Sequence, residues 1–589
     1  MRYQAPLRDY HFVLHEVLGA ESILAALPSH SDLTMEDVDA VLTEAGRLCA
    51  DVLLPINRIG DEVGCTLADG RVVTPPGFRE AYRTFADGGW IGLCAHPEHG
   101  GQGLPRALNF ALHEFIMSTN LSFGDYVGLP QAAYQTIDAH ASDVLRQRYL
   151  PHLASGEWCA TMCMTEPHCG TDIGLITTRA VPRPDGAFAI SGTKIFISGG
   201  DHDLAENIVH LVLARLPDAP PGVKGVSLFL VPKRLPDDAM RPNDLRAAKI
   251  ERKMGYTASV TCEMLFEGAT GWLVGEANRG LRAIFTMVNT ARLLTAIQGL
   301  GTSEAAYQSA VAYARDRRQG RALAGPRDVN EKADQLLVHP DVRRMLLFAR
   351  SFNEGARFLA MWTALHIDRS SKSASAEDRE ESEDFAAFLT PVLKAFFSDI
   401  GFESCNACMQ VFGGHGYIRD HGMEQLVRDC RIAQIQEGAN GVQALDLIGR
   451  KLPMHGGRLW GRVRQLIAHF LEASSSVARM EEFAVPLRDA LERMTAETEA
   501  LIHRTASDPD EIGSAGVDYQ HAMGLLLFAW AWAQMASVAL KHDQSDPFYA
   551  AKIHTARFFF GRVLPGLEVR LRVAASGAGL LMNMPDDFF

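Results

Sequence analysis

Residues Cys163 to Gly174 read CMTEPHCGTDIG, and one hairpin later Gly192 to Gly200 read GTKIFISGG. The first stretch sets hydroxyls and acids around Gly170 and Gly174. Two structures suit it: a loop held by Asx and Ser/Thr turns, or a backbone and hydroxyl platform that hydrogen-bonds a heteroaromatic ring and a polar ligand arm. In the second stretch Phe196 and Ser198 are two apart, so on a strand they face the same side. An aromatic face beside a hydroxyl suits a flat cofactor, although a strand phenylalanine more often packs into a core.

Around these stretches the periodicity changes twice. Between about Thr161 and Glu276, alternating or β-branched runs such as FAISGTKIFISGG, NIVHLVLARL, GVSLFLVPK and SVTCEMLFE are separated by turn residues, which predicts a compact β domain. Upstream, from Asp37 to Gly156, DVDAVLTEAGRLCADVLLPI, FREAYRTFADGGW and ALNFALHEFIMSTN carry apolar residues three and four apart, a helical pattern broken by EHGGQGLP. Helices return from Leu281, with a solvated, mobile loop expected at Asp368 to Asp384, DRSSKSASAEDREESED. After GRKLPMHGG further helical patterns follow, and no internal repeat is visible.

The chain has 589 residues, against ~150 for an average domain, so roughly three or four domains are expected. Its 57 Lys+Arg against 71 Asp+Glu leave a formal charge of −14, which disfavours a general nucleic-acid or anionic-membrane surface. The opening MRYQAPLRDYHFVLHEVLGAE reads as neither a signal nor a transit peptide. Together with ten cysteines that lack a framework spacing, it suits reduced thiols and a cytoplasmic location. Cys405 and Cys408 form a CxxC, but inside a helical pattern and with no second ligand pair at a zinc-site spacing. The histidines compel no metal either. Met523 to Leu540, MGLLLFAWAWAQMASVAL, reaches only the lower limit of the ~17–25 residues of a membrane span and is read as a helix buried on all sides.

Taken together, TEPHCGTD and GTKIFISGG resemble the signatures of the acyl-CoA dehydrogenase family, of the forms TEPxxGTDxx and GxKxFISxG. The resemblance continues in order through QVFGGHGY, Gln410 to Tyr417, and RDCRIAQIQEGANGVQALDLIGRK, Arg428 to Lys451. It implies an α+β, mostly α chain: a helical N-terminal domain over 1–160, a middle β-barrel over 161–280 and a C-terminal four-helix bundle over 281–453, with an additional helical domain over 454–589. FAD is expected between barrel and bundle and across a subunit interface. By motif position Met164 and Thr165 contact the flavin, Phe196 and Ser198 cover it, and Thr171 lies near the CoA arm. In ARDRRQGRAL, Arg317 matches an arginine that reaches the partner's FAD pyrophosphate, a task suited to a planar guanidinium. Gln410, Gly413 and Gly414 let backbone approach the partner's FAD. Relatives usually have an aromatic where this chain has Gly320.

The reaction implied is α,β-dehydrogenation of an acyl-CoA thioester, in which a base takes the α-proton and the β-hydrogen leaves as hydride to the flavin. The motif makes Glu437 that base, and Gly438 lets the thioester approach. Some relatives carry the base just before an arginine on the helix matching TMVNTARLLTA. Here the arginine is Arg292 but Ala291 precedes it and cannot take a proton. Arg292 then supports substrate and loop, or is a helix arginine paired structurally with an acid. Gln436 replaces a common tyrosine and Ala439 a common threonine beside the base, which leaves the acyl pocket open.

Met454 to Phe589 matches the subgroup with a C-terminal helical extension, which includes very-long-chain, bacterial and 3-methylmercaptopropionyl-CoA dehydrogenases. The implied partners are an acyl-CoA, an electron-transfer flavoprotein as acceptor and a second copy in a homodimer, without membrane contact. The rival readings are an oxidase or monooxygenase on the same fold, and a non-catalytic scaffold. The retained Glu437, Thr165, Phe196 and Gln410 speak for the dehydrogenase.

Overall fold

A computed structural model describes residues 2–237 and 239–589. The chain forms two compact units. One holds the N-terminal residues through Arg47, Pro105–Ser118 and Thr295–Phe589; the other holds Leu48–Leu104 and Thr119–Leu294. The architecture is α+β and mostly helical, with the β structure in the middle of the chain.

In the second unit the helix Leu54–Val63 is followed by a small hairpin of β1 (Thr66–Ala68) and β2 (Arg71–Val73). Its turn is Asp69-Gly70, both at positive φ (50° and 72°), the pairing that a two-residue hairpin turn selects. This departs from the helical reading of 37–156, because three-residue strands are too short to show an alternation. The main sheet contains β3 (Trp158–Cys163), β4 (Arg179–Pro182), β5 (Phe188–Ser198), β6 (Asn207–Arg215), β7 (Val226–Pro232), β8 (Leu245–Ile250) and β9 (Thr261–Val274). Pairing runs β6-β4-β5-β9-β7 and returns to β6, so these five strands close a barrel, with β3 added beside β6 and β8 beside β9. Closure leaves β7 buried at every position, and its sequence VSLFLVP accordingly runs apolar without alternation. Helices Gly124–His140 and Asp143–Ser155 share one core with the strands, in which Trp158 meets the edge of Tyr149 at 5.6 Å.

In the first unit the long helices are the C-terminal part of Gly280–Asp316, Pro340–Lys372 and Ala376–Val411. Two of them cross at backbone contact: a Cβ on Gly299 would lie 2.2 Å from the Phe397 carbonyl oxygen. The loop expected at 368–384 is a correction. Only 373–375 lie outside helix, because the acids and serines of this run have partners. Ser375 caps the second helix by accepting from the Asp378 N–H, Arg369 pairs with Asp378, and Asp384 and Glu380 receive Arg458 at 2.7 Å each.

The additional domain contains helices Arg458–Ser474, Glu481–Ser507, Glu511–Ala539, Pro547–Phe558 and Gly566–Ala574. The apolar segment from Met523 is buried inside Glu511–Ala539. Glu511–Ala539 and Ala376–Val411 are both long and apolar enough to cross a membrane, and both are largely buried core helices. All ten cysteines are free thiols, and burial raises Cys405 and Cys408 above the usual thiol range.

A buried ionic network joins distant parts of this unit. Arg357 donates to Glu114 at 2.5 Å and to Glu304 at 3.1 Å, and the Tyr10 hydroxyl also donates to Glu114. Beside it Lys552 pairs with Glu354 at 2.8 Å and with Asp9.

Candidate active site

The loop after β3 is built around Glu166. Its carboxylate accepts from the N–H and hydroxyl of Thr177 (2.7 and 2.8 Å), from the same two groups of Thr178 (3.0 and 2.6 Å) and from the Lys194 ammonium at 2.8 Å. Burial alone would raise this carboxyl and draws Lys194 down. The five donors outweigh burial at Glu166, whose pKa falls to about 2. Lys194 also donates to the Met164 carbonyl at 3.0 Å, and the Ile195 N–H donates to that of Thr165 at 2.9 Å. Met164 and Thr165 are thereby fixed against β5, half-buried, and the Thr165 hydroxyl has no protein partner among the described residues. The Asx turn expected in this loop is present, with Asp172 accepting from the Gly174 N–H at 3.0 Å, and Thr171 beside it is exposed.

Phe196 occupies a bulge: register passes from Lys194 opposite Met264 to Ile197 opposite Cys262, three residues against two. It has φ 58° and is 63% exposed, so it is not a core residue. A bulky residue in the left-handed region stores strain, and such outliers gather at ligand sites. The Ser198 carbonyl accepts from the Thr161 hydroxyl at 2.5 Å, while its own hydroxyl bonds to Asp125. The flavin-covering hydroxyl expected at Ser198 is therefore already engaged by a carboxylate. Arg292 is buried in this same unit, its guanidinium 5.8 Å from the Phe285 ring centroid.

In the first unit, Glu437 has φ 55° and Gly438 φ 84°, and both are half-buried. Gln443 donates to both carbonyls, at 3.1 and 3.3 Å, and the buried Lys394 donates to that of Gly438 at 2.8 Å and to Asn440 at 2.9 Å. Gln436, the residue before Glu437, donates to the buried Gln298 at 2.8 Å. Arg317 is exposed and makes no ion pair among the described residues. Gly320 lies at φ 70°, a conformation that glycine adopts without strain. Gln410, Gly413 and Gly414 are exposed, and a Cβ on either glycine would meet nothing within 4 Å.

Sequence reasoning missed the supports: Glu166, Lys194, Lys394 and Asn440. Lys194 and Lys394 carried a signal, since each is a lone cation in an apolar run, IFI and TPVL…AFF, and a buried lysine demands a partner. Within each unit the residues fit FAD. An exposed aromatic face beside an unpaired hydroxyl suits the ring, and an unpaired guanidinium with open glycine backbone suits the pyrophosphate. The Glu166, His168 and Cys169 cluster is geometrically able to hold a metal, but its carboxylate is already saturated by the lysine and threonines.

The chain matches the family descriptions "Acyl-CoA dehydrogenase, N-terminal domain" over residues 39–157, "middle domain" over 161–269 and "C-terminal domain" over 278–452, and "Acetyl-CoA dehydrogenase C-terminal like" over 459–585. It is 40% identical to 3-methylmercaptopropionyl-CoA dehydrogenase of Ruegeria pomeroyi, over 99% of both chains. It is 32% identical to a butyryl-CoA dehydrogenase of Syntrophomonas wolfei, over 100% of this chain and 99% of that one. An acyl-CoA dehydrogenase from Bacillus anthracis, solved with FAD, superposes with a TM-score of 0.74 at 19% identity, covering 94% of this chain and 90% of the other. This chain belongs to the acyl-CoA dehydrogenase family, as an FAD-dependent enzyme that carries the additional C-terminal domain.

Proposed function

We propose that Glu437 takes the α-proton from a short acyl-CoA, with 3-methylmercaptopropionyl-CoA the first candidate substrate. The carrying observation is the backbone of Glu437, held at positive φ with its own carbonyl and that of Gly438 clamped by Gln443. A loop residue locked in this way presents one carboxylate in one direction, as a base requires. Bound FAD supplies the acceptor for the β-hydrogen. Gly438 leaves room beside the base, and the fixed donors of Gln443 and Lys394 keep the loop from following the proton.

The substrate reading rests on two supports. One is similarity over the full length to a protein named for 3-methylmercaptopropionyl-CoA. The other is the half-buried Gln436 amide, only partly satisfied by its bond to Gln298, beside which a long alkyl chain would desolvate the remaining polar atoms at a cost. A short chain that ends in a polarisable thioether avoids that cost. Thr171 and Arg292 serve the substrate, and Met164, Thr165, Phe196, Arg317, Gln410, Gly413 and Gly414 serve FAD, with Ser198 contributing backbone. Electrons pass to an electron-transfer flavoprotein from a cytoplasmic homodimer, a location that ten free thiols suit.

Anaerobic flavin bleaching with butyryl-, octanoyl-, palmitoyl- and 3-methylmercaptopropionyl-CoA tests the reading. Fastest bleaching is expected with the two short substrates, and a preference for palmitoyl-CoA would sink it. Glu437→Gln should bind acyl-CoA yet bleach slower by on the order of 10²–10⁴-fold.

A further inference from the structure

Gln434 stands three residues before Glu437 and Asn440 three after it. Their side-chain amides donate to the same oxygen, Oδ1 of Asp399, at 2.6 and 2.7 Å. One carboxylate therefore pins both shoulders of the loop that carries the base. The other oxygen, Oδ2, receives Nε2 of His521 at 2.8 Å, and His521 lies on helix Glu511–Ala539 of the additional domain. We propose that His521 is a positioning residue for the catalytic loop, acting through Asp399; this rests on Glu437 being the base.

The torsion that turns a carboxylate is broad and roughly two-fold, so two donors on one oxygen leave it able to swing. A third donor on the opposite oxygen fixes the plane. The donors also hold Asp399 below the ordinary carboxylate range against the opposing effect of its burial, which keeps it an acceptor for all three.

His521 is itself held by the packing of its helix. Its ring meets Phe396 edge-on at 5.6 Å, and Gln520 donates to the Pro391 carbonyl at 2.8 Å. A Cβ on Gly524 would lie 2.3 Å from the Phe396 ring, so that ring packs directly over the backbone of the helix that carries His521. The same helix backs the segment after the loop, where Gly516 faces Ala444. A domain outside the catalytic motifs thus sets the orientation of the carboxylate that frames Glu437.

The test uses the holoenzyme and anaerobic bleaching at saturating acyl-CoA. His521→Phe keeps a ring against Phe396 and removes the donor; His521→Gln keeps an N–H. The first should slow bleaching roughly tenfold with unchanged FAD content and KM, and the second should restore it to within about threefold of the original rate. The double variant Asp399→Asn/His521→Phe should be no slower than Asp399→Asn alone, as expected of residues acting in series. If His521→Phe does not fold, His521→Asn, too short to reach Oδ2, takes its place. The proposal is overturned by an unimpaired His521→Phe, by equal slowing in Phe and Gln variants, or by losses that multiply in the double variant. A Glu437→Gln enzyme that still bleaches removes the base itself. A silent Glu437→Gln beside an unimpaired His521→Phe removes only the role of His521.

Discussion

Glu437 and Gly438 lie in succession at positive φ, and the glutamate bears roughly 1–2 kcal/mol of strain there for want of a glycine's freedom. Strain of that size persists only where neighbours impose it, here Gln443 and Lys394. Gly438→Ala would put a second side chain in the same region and should lower stability by about 1 kcal/mol with a larger fall in bleaching rate, read by thermal unfolding beside stopped-flow. One position earlier, Gln436 holds its amide against the buried Gln298. Gln436→Leu should raise the octanoyl-to-butyryl ratio of kcat/KM by about tenfold, within what an apolar contact can discriminate. The proposed base was legible as a candidate because a motif names it and Ala291 cannot take a proton. Asp399 and His521 were not, since each is one acid or histidine in a helix until folding brings them to 2.8 Å.

At the scale of elements, the loop from Met164 to Thr178 is shaped by Glu166 more than by its own turns. Glu166→Gln leaves Lys194 buried without its counter-charge and should cost roughly 3–5 kcal/mol in denaturant unfolding, with loss of FAD. The pH dependence has a definite sign. The folded pKa, about 2, lies below the ordinary 4.5, so this stabilisation is full above about pH 4.5 and is lost as pH falls toward 2. Wild type should therefore lose stability across that window more steeply than Glu166→Gln. Strand order in the barrel was hidden because closure depends on a single parallel pairing, Arg179 with Arg215, which no local pattern announces. Helix and strand content was legible from periodicity. The acidic run at 368–384 misled because its charges serve Arg369, Arg458 and Arg462, whose positions only the tertiary fold defines.

Over the whole chain, the additional domain is part of one unit with the bundle rather than an appendage. Lys552 from that domain, Asp9 from the N-terminal segment and Glu354 from the bundle share one buried cluster, and Arg357, Glu114 and Glu304 form the next. Arg357→Met strands two buried carboxylates and should lower stability by roughly 3–5 kcal/mol, whereas replacing all three with apolar residues of similar volume should recover most of it, both read by chemical unfolding. Domain order was legible from the sequence, but this joining of the chain's two ends was not, because Arg8 meets Tyr549 across 541 residues.

That meeting also sets a clock on biosynthesis. At ~5–20 residues per second a ribosome needs roughly half a minute to two minutes between making Asp9 and making Lys552. Through that interval the N-terminal segment lacks its partner, and toward its end the apolar helix Ala376–Val411 and then the Glu437 loop wait for helix Glu511–Ala539 and its His521 to be made. Nascent chains arrested before residue 521 should be sensitive to protease in the N-terminal segment and retained by chaperones, while release of the complete chain should confer protection and flavin retention in a single late step.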